Sequence, residues 1–107
     1  MTVTNLPQAI ETFIATNNAH DGDALLATFA PGATVADDGK THTTEAEIRA
    51  WIKSHLTDLN IVITPKSYEA GRLVASGDGD FPGGPLDFAF DFELEDDAIT
   101  SLSIEPV

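Results

Sequence analysis

The segment from Asn18 to Asp38, NAHDGDALLATFAPGATVADD, decides the fold of this chain. It predicts, in order, the end of one helix, a tight corner, a short second helix, a Pro-Gly turn and a strand. Asp21 is suited to cap the second helix. We expect Pro31-Gly32 to end that helix and the strand to run from Ala33 to Asp37. The apolar residues of the second helix are Leu25, Leu26 and Phe29.

Two longer amphipathic helices flank this segment. Residues 5–18 carry one apolar stripe, with Asn5 as the N-cap and Pro7 in the first turn. The third helix opens at Thr44 and Glu47, a capping box in which each side chain satisfies the backbone amide of the other. The apolar face of the third helix consists of Ile48, Trp51, Ile52, His55, Leu56 and Leu59.

The second half of the chain changes to a period of two. In residues 86–95, apolar Leu and Phe alternate with acidic residues and Ala, which predicts a half-buried antiparallel strand. The apolar row must be covered, and the helices are available to cover it. The other predicted strands are 60–69, 72–81, 98–105 and a short return strand from Lys40 to Thr43, and the turns are Asp38-Gly39, Ala70-Gly71, Phe81 to Pro85 and Asp96-Asp97.

This order of elements predicts an α+β fold. Three N-terminal helices should pack in the concave face of a curled, mainly antiparallel sheet, giving a cone-like α+β barrel. We expect residues 1–107 to form a single domain, because this length supports one small hydrophobic core. A pocket is expected at the mouth of the cone.

Composition argues against several classes of partner and site. The chain has 42% hydrophobic residues, no cysteine and a net charge of −13. The charge disfavours nucleic acid and membrane partners, because phosphates and anionic lipids would be repelled. The chain has no cysteine thiolates and no closely spaced histidines, so we expect no metal site and no cofactor. We see no secretory signal, so a cytoplasmic location is expected.

The element order, the block NAHDGDALLATFAPGATVADDG and the segment THTTEAEIRAWI resemble the SnoaL-like branch of the nuclear transport factor 2-like superfamily, over nearly the whole chain. Proteins of that kind include ketosteroid isomerases, polyketide cyclases, epoxide hydrolases, dehydratases and pocketed proteins without known chemistry. The resemblance implies a cone-shaped fold with a ligand cavity between the third helix and the sheet. It also implies a homodimer formed through the outer face of the sheet.

The resemblance to ketosteroid isomerase has consequences for single residues. The general base of that enzyme ends the strand after the second helix, where this chain has Asp37. Its two oxyanion donors, a tyrosine and a protonated aspartate, are matched by Phe13 and Phe90. Asp91 is one residue away, and a shift by one residue turns a side chain to the opposite face. Losing one such donor costs about 2.7–4 kcal/mol of transition-state stabilisation, so steroid isomerisation is not expected.

These observations define the candidate residues. Asp37 is the candidate catalytic base, and the alternative is a strand-end carboxylate that starts a turn. His20 is a candidate proton relay, and the alternative is a corner histidine bonded to the backbone. The expected ligand-binding residues are Phe13, His42, Trp51, His55, Phe88 and Phe90.

The predicted function is a pocket for a small apolar molecule, with acid–base chemistry of the isomerase, cyclase or hydrolase type at Asp37. The alternative is a non-catalytic binding or dimerisation module with a reduced or filled cavity. The sequence alone does not decide whether the protein is an enzyme.

The excess of eighteen acids over five bases allows two interpretations, namely a solvated shell that favours solubility and an adaptation to high salt. Adaptation to high salt would raise the melting temperature as chloride is added, because ions screen the mutual repulsion of the carboxylates. Thermal melts in increasing potassium chloride measure this effect. Chloride is preferred to sulfate, which stabilises proteins by exclusion from their surface. A melting temperature that does not rise with chloride contradicts the hypothesis.

Overall fold

The computed structural model describes residues 6–37 and 39–107. The elements are α1 (Gln8–Asn18), α2 (Gly22–Leu26), β1 (Phe29–Asp37), β2 (Lys40–His42), α3 (Glu45–Ile52), β3 (Val62–Glu69), β4 (Arg72–Asp78), β5 (Leu86–Glu95) and β6 (Ala98–Pro106). A π-helical turn over Lys53–Thr57 continues α3. No helix in the described residues is long and apolar enough to cross a membrane.

The six strands form one mixed sheet. Their order is β2-β1-β6-β5-β4-β3; β1 and β6 run parallel, and all other neighbours are antiparallel. The sheet is curled, and its concave side packs on the helices. The predicted α+β architecture is therefore confirmed. The two-residue turns at Ala70-Gly71 and Asp96-Asp97 are also found, with positive φ at all four residues, as tight hairpins require.

The first helix begins later than predicted. It starts at Gln8, and Pro7 precedes it with an extended ψ of 147° instead of lying in the first turn. The predicted cap, Asn5, lies outside the described residues, as does Asp38 of the predicted Asp38-Gly39 turn. The second helix is capped as predicted: the Asp21 side chain accepts a hydrogen bond from the Ala24 amide at 3.1 Å.

The first strand is longer than predicted. It starts at Phe29, so Phe29 is not part of the second helix and Pro31-Gly32 lies inside the strand. The pairing of β1 with β6 shifts between Phe29 and Thr34, and Gly32 adopts a φ of +79°. Because proline has no N–H to donate, such an irregularity lets the strand pass through Pro31 without losing a ladder hydrogen bond.

The strand predicted for residues 72–81 ends earlier, at Asp78. The chain then turns away from the sheet to approach Leu59, whose carbonyl oxygen accepts a hydrogen bond from the Asp80 amide at 2.7 Å. A side chain on Gly79 would lie 2.5 Å from that oxygen, so glycine permits this approach. The predicted third helix also ends before Leu59, because the π-helical turn stops at Thr57.

Two hydrogen bonds between side chains and backbone amides cap the start of α3. The Thr44 hydroxyl accepts a hydrogen bond from the Glu47 amide at 3.1 Å, as predicted. The Glu47 carboxylate accepts one from the Thr43 amide at 2.8 Å, one residue before the predicted amide. This backbone hydrogen bond lowers the pKa of Glu47 below its usual value. At pH values above the pKa that Glu47 has in the unfolded chain, the charged carboxylate therefore stabilises the start of the helix. This contribution is lost as the pH falls and the carboxylate is protonated.

The core is centred on Phe13 of α1, which is 0% exposed. Its ring makes edge-to-face contacts with Phe29, Phe90 and Phe92, at centroid distances of 6.2, 6.3 and 5.4 Å. The alternating phenylalanines of β5 thus face the helices. The acidic residues between them face outward, where Asp91 pairs with Arg72 at 3.0 Å.

Replacing Phe13 by alanine should destabilise the fold strongly. We expect a loss of about 3–5 kcal/mol in the free energy of unfolding, because the substitution leaves a cavity between α1 and β5. Urea denaturation measures it. Leu86→Ala is the control, since Leu86 is 44% exposed and its truncation should cost about 1 kcal/mol or less. Equal losses in the two variants would contradict the central position of Phe13.

Candidate functional site

A cavity of about 190 Å³ opens between the π-helical turn after α3 and the concave face of the sheet. Most of its lining is aliphatic or aromatic, and two lining side chains are polar, namely Asp37 and His55. The apolar lining residues are Leu56, Leu59, Ile61, Ile63, Phe81, Leu86, Phe88, Phe90 and Ile104, with Gly77 between them. An apolar pocket with a few polar groups is the usual form of a small-molecule site.

Asp37 reaches the cavity from the end of β1, where its half-buried carboxylate meets α3. One carboxylate oxygen, Oδ2, accepts a hydrogen bond of 2.9 Å from the indole Nε1 of Trp51. Trp51 is only 1% exposed, so a rigid buried group holds the carboxylate. No other hydrogen bond to this carboxylate is found among the described residues. Its remaining lone pairs are therefore available to a ligand or to water.

His55 lies in the π-helical turn, which closes with a hydrogen bond of 2.8 Å from the Asp58 amide to the Lys53 carbonyl oxygen. The wide turn brings two successive residues, His55 and Leu56, to the cavity. Such turns occur often at functional sites. The His55 Nδ1 atom is 2.8 Å from the Ser54 hydroxyl, which orients the ring. Its Nε2 has no hydrogen-bond partner within the described part of the chain.

The other candidate residues lie at different depths. Phe88 and Phe90 line the cavity, whereas Phe13 lies behind Phe90 in the core. The ring of His42 is 6.5 Å from that of Trp51, and neither of these two residues lines the cavity. His20 is exposed at the corner between α1 and α2, with a φ of +57°, and it does not line the cavity. The structure thus brings Asp37 and His55 to one cavity and keeps His20 away from it.

Two asparagines position part of the lining, a role that the sequence pattern did not reveal. Asn18 bonds both backbone groups of Ile63, with its Nδ2 3.0 Å from the carbonyl oxygen and its Oδ1 2.8 Å from the amide nitrogen. Buried Asn17 donates to the Ile61 carbonyl oxygen at 3.0 Å. These bonds tie the end of α1 to β3 and aim Ile61 and Ile63 at the cavity. The sequence signal for this contact is weak: it consists of two asparagines at a helix end and an apolar run, Ile61 to Ile63, more than forty residues later.

A glycine keeps part of the cavity open. A side chain on Gly77 would lie 3.2 Å from the Phe88 ring. Phe81 also contributes to the lining, from the loop after β4. The size of the cavity therefore depends on the missing side chain at Gly77 and on the positions of Phe81 and Phe88.

A larger groove of about 480 Å³ lies outside the cone, between α2, the start of β1 and the start of α3. Its charged residues already pair with one another: Arg49 bonds Asp23 at 2.9 Å and approaches Glu45 at 3.8 Å. The groove is therefore a weaker candidate than the cavity. Among the described residues, no group of three histidine or acidic side chains could hold a metal ion.

Residues 10–102 match the family model of the SnoaL-like domain. The chain belongs to the SnoaL-like family. No significant match to a curated protein was found. One similar solved structure is a candidate polyketide cyclase from Sinorhizobium meliloti, with 29% identity, a TM-score of 0.83, and coverage of 94% of this chain and 95% of that one.

Two more distant solved structures share the fold of this SnoaL-like domain. SalBIII, an epoxide hydrolase/cyclase-like enzyme of salinomycin pyran ring formation, has 19% identity and a TM-score of 0.82, covering 94% of this chain and 88% of that one. RV0760c from Mycobacterium tuberculosis, in complex with estradiol-17beta-hemisuccinate, has 16% identity and a TM-score of 0.77, covering 90% and 88%. They confirm the predicted cone-like fold.

The hydrogen bond between Trp51 and Asp37 should appear as an energetic coupling. We expect Trp51→Phe to lose the bond, worth about 1.5–3 kcal/mol because its acceptor is charged, together with some packing. Repeating the substitution in an Asp37→Ala background isolates the bond, since only the packing loss remains there. Urea unfolding followed by circular dichroism gives the four free energies. Effects that add within about 0.5 kcal/mol would show that the bond contributes nothing.

Proposed function

We propose that this SnoaL-like domain binds a small, mainly apolar molecule in the cavity and that Asp37 acts on it as an acid–base group. The observation that carries the proposal is the Asp37 carboxylate at the wall of a mainly apolar cavity, with one oxygen held by Trp51 at 2.9 Å. A carboxylate in such surroundings is oriented and is not fully solvated. An oriented carboxylate beside a bound molecule is positioned to accept a proton from it.

The arrangement supports proton transfer as the reaction type. The second carboxylate oxygen of Asp37 is available to take a proton from a carbon acid, a hydroxyl or a water molecule. His55 lines the same cavity and can anchor or protonate the other end of a ligand. Isomerisation, cyclisation and epoxide hydrolysis all need such a proton transfer. The likeness to a candidate polyketide cyclase and to SalBIII is in keeping with this group of reactions.

The size of the cavity argues for a small ligand. Its volume of about 190 Å³ is below the range of about 300–1,000 Å³ that is usual for drug-sized ligands. Phe13 and Phe90 occupy the positions where the family resemblance puts the oxyanion donors of a steroid isomerase. The steroid bound by RV0760c therefore does not carry over to this chain.

The alternative function is binding without catalysis. Phe13 and Phe90 favour binding without catalysis, because a phenylalanine side chain has no donor that could stabilise a developing negative charge. The two functions predict the same cavity and the same bound molecule. They differ only in whether the Asp37 carboxylate accelerates a proton transfer.

Kemp elimination of 5-nitrobenzisoxazole distinguishes these functions without knowledge of the natural ligand. A base removes the single C–H proton of the isoxazole ring, the N–O bond breaks, and the coloured cyanophenolate forms. We expect acceleration above a buffer blank. Asp37→Asn should reduce the rate by about 10²-fold or more, because an amide cannot accept the proton. The amide oxygen can still accept the Trp51 hydrogen bond, so the pocket is preserved.

Asp96→Asn is the matched control. It removes the same charge from an exposed turn residue with a φ of +51°, a conformation that asparagine tolerates. Its rate should equal that of the unmodified protein. If Asp37→Asn were as active as this control, the acid–base role of Asp37 would be wrong. If the unmodified protein bound the probe without accelerating the reaction, the non-catalytic alternative would be supported.

A further inference from the structure

The ionisable side chains that line the cavity are Asp37 and His55, and with histidine counted as neutral, as in the net charge of −13, Asp37 is the one with a formal charge. Asp37 is the only acidic residue among the described lining residues, and no lysine or arginine lines the cavity. The Trp51 indole donates a hydrogen bond to the carboxylate but does not neutralise it. A carboxylate at an apolar wall is stabilised most by a partner that brings the opposite charge, because neutral donors offset less of its lost hydration.

The chain has few bases left to supply that charge. Four of its five basic residues form ion pairs with other acids, on the surface and away from the cavity; these pairs are Arg49–Asp23, Lys53–Asp58, Lys66–Asp87 and Arg72–Asp91. The fifth, Lys40, lies opposite Asp37 across the hairpin. Lys40 is exposed, and the described residues contain no ion pair between it and Asp37.

The rest of the lining favours a cation with an apolar body. Phe81, Phe88 and Phe90 present aromatic rings to the cavity, and ring faces attract cations at short range. Aliphatic residues fill the remaining wall and match a hydrocarbon skeleton. The net charge of −13 adds a long-range potential that concentrates cations near the protein and repels anions.

We propose that the ligand of this cavity is a small hydrophobic cation, an alkylammonium or arylalkylammonium compound whose charged nitrogen contacts Asp37. This inference rests on the proposed function, because it uses the same cavity and adds the charge of the bound molecule. The nitrogen pairs with the free oxygen of the carboxylate, while its carbon skeleton packs against Phe88 and the aliphatic wall. Carboxylate and phosphate ligands are disfavoured by the same charge.

A matched pair of probes tests the charge. Cyclohexylammonium chloride and cyclohexanol have nearly the same size and shape and differ in charge. Trp51 is the only tryptophan of the chain and is bonded to Asp37, so its emission reports on binding at that carboxylate. We expect the cation to bind about tenfold more tightly than the alcohol, or more. Added potassium chloride should reduce this preference through screening.

Two variants locate the effect. Asp37→Asn should remove the preference for the cation, and Asp96→Asn should keep it, although both change the net charge of the protein by one. A preference that survives Asp37→Asn would come from the acidic surface and would overturn the inference. Equal or tighter binding of cyclohexanol would also overturn it and leave the proposed apolar pocket intact. Failure of both probes to bind would overturn the inference and the proposed pocket together.

Discussion

The packing of the β5 phenylalanines on Phe13 is the contact on which the rest of the structure depends. It sets which face of the central strand points inward, and a strand shifted by one residue would exchange every inner side chain for an outer one. With the observed pairing, Phe90 lines the cavity and Asp91 faces outward to bond Arg72 at 3.0 Å. The opposite face would put carboxylates into the core, where burying an unpaired charge is costly.

The candidate site forms where three elements of the chain meet. β1 ends at Asp37, α3 contributes Trp51, and the π-helical turn contributes His55. Asn17 and Asn18 complete the cavity by holding β3 against the end of α1. The site is therefore a product of the assembled cone. Its single charge matters because the surrounding lining is apolar and because most bases of the chain pair elsewhere on the surface.

Sequence reasoning succeeded where local signals were strong. The alternating strand over residues 86–95 and the two hairpin turns follow from period and turn chemistry, and the structure contains them within one or two residues. It was wrong where pairing between distant segments overrode a local signal. Pro31-Gly32 looked like a break, yet the pairing of Phe29 with Ile99 extends the strand through it. Residues 79–81 were predicted to continue a strand, but they lie outside the sheet, where the Asp80 amide donates a hydrogen bond to the Leu59 carbonyl oxygen.

The sequence by itself determined the fold class, the inward face of the long strand and the set of side chains with useful chemistry. Period-two alternation and helical stripes are local properties, so they can be read without coordinates. Only the tertiary structure decided which of those side chains meet. Asp37 and Trp51 are fourteen residues apart and join by a hydrogen bond of 2.9 Å, whereas His20 lies exposed away from the lining. Contacts between side chains depend on how separate elements pack, and that packing has no local signature.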